Sequence, residues 1–389
     1  MKLRSVLCCI LALNWLWQGM LPAYGRTIHP VPSMAEQPVY APAVLPTEPP
    51  TKDIILSFTG DCLLGSDLSL GYSRSFIHEY DSQNGDFGYF FENVLPIFQS
   101  DSLTIVNLEN PFTNATSHMD KEFAFKAPPD YLNILPAASI EAVNLANNHT
   151  FDYYQKGYDD TVSGLQALGI AYFGNGASAL LQAEGVSLGF LGYKGWAGGP
   201  AIRQQIADDI NALRNKGAEI VIITFHWGIE NQNYADAVQM ELGRAAIDNG
   251  ADLVIGHHPH VIQGIEEYKG KYIVYSLGNF CFGGNRNPSD KDSFIFQQCY
   301  TYQGDEQISS DIRIIPVRIS SVTNRNDFRP TPVTGADAER IRNRLITYSS
   351  AYNQRDIIMD HFSAWNRPPY EKLEHHAAFI SQNYYSGCD

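Results

Sequence analysis

The chain has 389 residues, 44% hydrophobic and 12% aromatic, which is apolar surface enough for a sizeable core and excludes global disorder. Its formal charge is -15, from 27 Lys+Arg against 42 Asp+Glu, with no dense basic cluster anywhere. Such a surface repels phosphate backbones, so nucleic acid is excluded as a partner selected by charge. The first 25 residues pass from a basic start at Lys2 and Arg4 through an apolar stretch to Leu21, then to the small residues Ala23 and Gly25. That layout predicts a secretory signal cleaved after Gly25. The alternative is an uncleaved membrane anchor, for which the stretch from Val6 to Leu21 is short. On either reading the mature part is expected outside the cytoplasm. Residues 26–51 are rich in proline, from Pro30 to Pro50, and read as an extended tether.

From Asp53 onward, apolar β-branched runs alternate with segments of helical spacing. The runs DIILSFTGD, SLTIVNLEN, AVNLANNH, VSLGFLGYK, EIVIITFHWG, DLVIGHHPH and KYIVYSLGNF read as strands buried on both faces, the signature of an α/β architecture. GYDDTVSGLQALG, AIRQQIADDINALRNKG and ADAVQMELGRAAIDNG read as helices that stop at glycine. FIFQQCYTY and SDIRIIPVRISS alternate more and predict antiparallel strands on one side. One folded domain is therefore expected over 52–335, followed by a C-terminal extension over 336–389 that opens with a helix at DAERIRNRLITYSS and ends in a polar tail. Beyond the signal the cysteines are Cys62, Cys281, Cys299 and Cys388; four allow three pairings, and export permits a disulfide without requiring one.

The chemistry collects where strands end. Asp61 follows DIILSFTG, and Glu109 follows SLTIVN with Asn107 two residues earlier. Asn148 and His149 follow AVNLAN, His226 follows EIVIITF, and His258 and His260 follow DLVIGH. In open α/β sheets ligands bind in the crevice beyond the carboxyl ends of the strands. Taken singly these signals are modest: a Gly-Asp at a strand end is more often a turn or cap, Asn148-His149-Thr150 doubles as a glycosylation sequon, and His226 could be a satisfied core histidine. Adjacent and alternate histidines after an apolar strand have few purely structural uses. Two carboxylates, an asparagine carbonyl and three imidazoles form a mixed oxygen and nitrogen set suited to Zn, Mn or Fe. Such a set can hold two divalent ions, with His149 facing the substrate and Asp152 behind it as an orienting acid.

The order GD, NLE, ANNHxxD, HWGxE, GHHPH and YSLGNF, spanning about Ile54 to Phe282, resembles the CapA-type capsule-synthesis family. That family is associated with poly-γ-glutamate production and is a distant branch of the calcineurin-like metallophosphoesterases. The resemblance implies a four-layer αββα sandwich with a two-metal site at its rim. Asp61 and His260 would hold one ion, Asn148, His226 and His258 the other, and Glu109 would bridge them. His149 would donate a proton or bind a phosphoryl oxygen, with Asp152 orienting it. His257 fits the pattern less well than the alternation of His258 and His260. Where the wider superfamily has a histidine two residues after the aspartate this chain has Leu63, and Glu109 stands for a usual aspartate. Cys62, alternating with Asp61 along the strand, is expected to be a buried structural thiol. The implied function is that of an exported metal-dependent hydrolase or transferase acting on a phosphoester or an anionic polymer, alongside membrane-bound capsule synthesis proteins. The alternatives are a non-catalytic factor that grips the polymer through bound metal, and a secreted binding domain whose histidines are coincidental.

Overall fold

A computed structural model describes residues 49–67, 69 and 71–362. The signal-like segment, most of the proline-rich stretch and the tail with Cys388 lie outside the described residues. The elements in chain order are β1 (Thr51–Leu63), α1 (Phe76–Ser82), α2 (Leu95–Phe98), β2 (Leu103–Leu108), α3 (Ile134–Ala137), β3 (Ala142–Asn144) and α4 (Tyr154–Leu168). Next come β4 (Ala171–Phe173), β5 (Ala179–Ala183), β6 (Val186–Gly195), α5 (Pro200–Asn215), β7 (Ile220–Trp227), α6 (Ala237–Asp248), β8 (Leu253–His257), β9 (Ile265–Tyr268) and β10 (Lys271–Val274). The chain closes with β11 (Asn279–Phe282), β12 (Asp292–Gln303), β13 (Glu306–Arg318), β14 (Thr331–Pro332), α7 (Gly335–Ser349) and α8 (Arg355–His361).

The strands form two sheets. One runs β14-β13-β12-β1-β2-β3-β4, with β11 also pairing with β1; the other runs β5-β6-β7-β8-β10-β9. Strands β1 to β4 are mutually parallel, as are β6, β7, β8 and β10, while β12 and β13 pair antiparallel as their alternation predicts. Side chains two apart on a strand share a face. Accordingly Ile54, Leu56 and Phe58 of β1 meet Ile220, Ile222, Leu253 and Ile255 of the second sheet in one core. The outward faces are covered separately. Val106 and Leu108 pack under Leu132, Ile134 and Leu165 from the α3 and α4 side, and Val221, Ile223 and Val254 pack under Ile206, Ile210 and Leu242 from α5 and α6. Helices, sheet, sheet and helices make the four-layer αββα sandwich. Ile341 and Leu345 of α7 join the core between the sheets, so this helix contributes to the sandwich.

Two runs end differently from the sequence expectation. AVNLANNH gives only the three-residue β3, because its asparagines bond to the backbone around them in place of a ladder. KYIVYSLGNF divides between the sheets: β10 lies beside β8, and β11 lies beside β1. Gly278, at φ 75, makes the crossing, and its carbonyl accepts from the Asp61 backbone N–H at 2.9 Å.

Registry then fixes the rim. Asn279, Asp61, Asn107 and Asn144 stand side by side across β11, β1, β2 and β3. In the facing sheet, His226 of β7 is in register with His257 of β8.

Candidate metal centre

All four residues of the polar row are buried, so each must find partners within the protein. Asn107 donates from Nδ2 to Asp61 Oδ1 at 2.8 Å and accepts at Oδ1 from Asn144 Nδ2 at 3.0 Å. Its amide also faces His226 Nδ1 at 3.3 Å, which makes that nitrogen the acceptor and puts the ring proton on Nε2. His226 Nε2 points at Asn148 Oδ1, 2.7 Å away. Asp61 Oδ2 accepts the His258 backbone N–H at 3.2 Å and lies 3.1 Å from His260 Nδ1, while Oδ1 lies 3.4 Å from His257 Nδ1. Burial alone would raise the Asp61 carboxyl; the facing imidazoles of His257 and His260 outweigh it and hold the group well below the usual range.

Glu109 is the exception in this network. It is fully buried just past β2, and neither carboxylate oxygen has a hydrogen-bond partner among the described residues. Its nearest opposite groups, His226 Nε2 and His260 Nε2, both stand 3.8 Å from Oε1. Burial, with Asp61 and Glu230 adding repulsion against the pull of His260, pushes Glu109 up to about 8. Burial lowers His260, but Glu109 and Asp61 more than offset that and raise it to about 9. A carboxylate placed between imidazoles with both oxygens unsatisfied is a costly arrangement unless a cation completes it.

The asparagine-rich loop after β3 is explained by its contacts. Asn147 ties the loop down, donating to Leu108 O at 2.9 Å and accepting from His149 N at 3.1 Å and Thr150 Oγ1 at 2.8 Å. Asn148 is thereby turned toward His226. His149 Nδ1 donates to Asp152 Oδ2 at 2.8 Å, so Nε2 is its free nitrogen. Asp152 is itself fixed by the Phe125 N–H at 2.8 Å and by Lys121 Nζ at 2.6 Å. Burial lowers the His149 pKa against the opposing pull of Asp152.

The GHHPH loop carries the backbone strain of the site. His258 and His260 both have positive φ, 97 and 56, which non-glycine residues adopt at a cost of about 1–3 kcal/mol. Gly256 allows the approach: a Cβ there would stand 2.0 Å from Tyr275 O. The His258 ring lies 4.7 Å from that of His226, and its Nδ1 is buried without a hydrogen-bond partner among the described residues. Burial and His260 together bring His258 down to about 4, and burial with His258 takes His226 well below its usual value. Both histidines are therefore neutral at pH 7, the state in which an imidazole ligates metal.

Every residue singled out from the sequence, namely Asp61, Glu109, Asn148, His149, Asp152, His226, His258 and His260, lies in this rim network. Among the described residues, two groups of three bring ligand atoms within 4.8 Å of one another: Asp61, Glu109 and His260, and Glu230, His258 and His260. The first brings Glu109 beside Asp61 and His260. In the second, Glu230 joins His258 and His260, while Asn148 and His226 pair with each other. The donor chemistry and the unsatisfied oxygens of Glu109 fit divalent cations.

Sequence reading missed Lys121, Asn279 and Trp196. Lys121 sits in a loop with no motif, yet reaches Asp152, His149 and the Asn148 carbonyl. Asn279 accepts from His260 Nδ1 at 3.0 Å, a role that its place in YSLGNF could have flagged. Trp196, 47% exposed, stands edge-on to His258 at 4.7 Å and to His226 at 5.7 Å. Cys62 and Cys281 are buried thiols, and burial pushes Cys62 up to about 12.

The chain is 32% identical over 248 residues to the PGA biosynthesis protein CapA of Bacillus subtilis (strain 168), a match covering 58% of this chain and 62% of that protein. It is 28% identical over 321 residues to the capsule biosynthesis protein CapA of Bacillus anthracis, covering 75% and 72%. A crystal structure described as a novel phosphatase from Mycoplasma pneumoniae is 13% identical, covers 68% of this chain and 94% of its own, and superposes with a TM-score of 0.40. The profile of the bacterial capsule synthesis protein PGA_cap matches residues 55–284, from β1 through the GHHPH loop to β11, and the chain belongs to that family.

Proposed function

We propose that this chain is an exported protein of poly-γ-glutamate capsule synthesis whose rim holds two divalent cations and acts as a metal-dependent hydrolase or transferase. The observation that carries this reading is Glu109, buried between His226 and His260 with both oxygens unsatisfied. Asp61, Glu109 and His260 would hold one cation, with Asn148, His226 and His258 beside the other. Bound there, divalent ions supply Lewis-acid polarisation of a phosphoryl or acyl oxygen and an acidified water.

The remaining chemistry belongs to the chain's own side chains. Asp152 and Lys121 fix the His149 ring, and its free Nε2 is the nitrogen available to the reacting group. Lys121, 27% exposed, adds a positive charge at the mouth of an otherwise acidic protein, where an anionic substrate would arrive. The family membership and the name of the B. subtilis relative support a glutamate polymer as that substrate.

The test has two parts. Metal analysis of the purified chain is expected to find stoichiometric Mn, Fe or Zn, and its absence refutes the reading. With metal bound, turnover of an activated phosphodiester or cleavage of a glutamate oligomer is expected. Polymer binding that needs metal but breaks no bond would instead make the protein a gripping factor.

A further inference from the structure

The motif HWGIE ends in a residue that the function above leaves unused. Glu230 lies three residues beyond β7, on an exposed turn begun by Gly228 at φ 77. An exposed carboxylate there would ordinarily be a solvated surface charge. Its ligand oxygen, however, lies within 4.8 Å of ligand nitrogens of both His258 and His260. His258 is itself only 8% exposed and keeps a buried Nδ1 with no hydrogen-bond partner among the described residues.

The turn is also held in place. Asn231, at φ 61, donates its N–H to Pro259 O at 2.8 Å, joining the Glu230 turn directly to the residue between the two histidines. One residue on, the Gln232 carbonyl accepts from Gln263 Nε2 at 2.8 Å. Gln263 Oε1 in turn accepts from the buried Gln239 at 2.9 Å, and Gln239 closes the capping box at the start of α6. A Cβ on Gly228 would meet Gln239 Oε1 at 2.6 Å, so the turn needs glycine to pack against that pair. A chain of amides thus keeps Glu230 against the strained GHHPH loop, support that a solvated surface charge does not need.

We infer that Glu230 is a ligand of the cation placed beside Asn148, His226 and His258, adding a carboxylate to a set of otherwise neutral donors. This rests on the two-cation reading above.

The test titrates Mn2+ alone into the chelator-treated full chain by calorimetry, for wild type, Glu230→Gln, His258→Ala and the double variant. Glu230→Gln is expected to weaken one binding event at least about tenfold while leaving the other unchanged, since even indirect metal partners are worth that much. Adding Glu230→Gln to His258→Ala should cost less than it does in wild type, because both act on one cation. Metal-free melting temperatures of wild type and Glu230→Gln should coincide, the residue being exposed. An isotherm for Glu230→Gln that superimposes on wild type overturns this inference alone, as does equal weakening of both events. A wild-type chain that takes up no Mn2+ overturns the two-cation reading along with it.

Discussion

Replacing Glu109 with glutamine separates the cost of the centre from its use. In the metal-free protein Glu109 rises from its ordinary 4.5 to about 8 because it is buried. A carboxyl raised on folding contributes fully below about pH 4.5 and loses that contribution as pH climbs through about 8, so at pH 7 the folded state bears most of the penalty. Between 4.5 and 7, at about 1.4 kcal/mol per pH unit, this is roughly 3 kcal/mol. Glu109→Gln cannot ionise in either state and keeps nearly the same shape, so this penalty disappears. The metal-free variant should then melt above wild type at pH 7, by about 6 °C at roughly 2 °C per kcal/mol for a chain of this size. The gap should shrink toward pH 5. Added Mn2+ at a hundred times its Kd should stabilise wild type by about 2.7 kcal/mol and the variant by much less. Scanning calorimetry with and without Mn2+ at both pH values measures all of these. A metal-free variant less stable than wild type, or one that gains as much from Mn2+, would refute the view of Glu109 as a carboxylate waiting for a cation.

Other expected outcomes concern the surroundings of the centre. His149→Ala should cut turnover of an activated phosphodiester by about 10²–10⁴ while Mn2+ content stays at the wild-type level, and an unchanged rate removes His149 from the chemistry. Gly256→Ala places a Cβ 2.0 Å from Tyr275 O and 2.4 Å from Trp227 Nε1, so a loss of about 3 kcal/mol or more, read as a fall in melting temperature, is expected. A melting point within experimental error of wild type would contradict the close approach of β8 to the segment after β10. Mn2+ is paramagnetic and should quench Trp196, which stands edge-on to His226 and His258. The quenched fraction should largely disappear in Trp196→Phe.

What the sequence made legible follows from how locally it was encoded. The apolar runs and their terminal Asp61, Glu109, His226, His258 and His260 could be read because each lies at the carboxyl end of an apolar strand, His258 and His260 sharing that of β8. Parallel pairing then brings those ends together whatever lies between them. Asn148 and His149 stood out because polar residues crowd a segment with neither helical nor strand period, and Asn147 and Thr150 prove to be the tethers of that loop. Lys121 was invisible: its partners lie 27 to 31 residues away, and nothing around it marks a site. The split of KYIVYSLGNF between two sheets was equally hidden, since a single apolar run does not announce that Gly278 will turn it. Glu230 was seen as part of a motif but had no assigned task, because its nearness to His258 depends on an amide network formed only by folding.

The centre draws Asp61, Glu109 and Asn279 from one sheet and His226, His258 and His260 from the other, and no strand of either is laddered to the other. Along this edge the seam is crossed by the backbone at Gly278, by the His258 N–H bonded to Asp61, and otherwise by side chains. Whatever draws Asp61 and His260 together therefore also sets how the two halves of the sandwich lie against each other. A polymer wedged into the crevice would press on the same joint, so occupancy and sheet spacing are two readings of one mechanical coordinate.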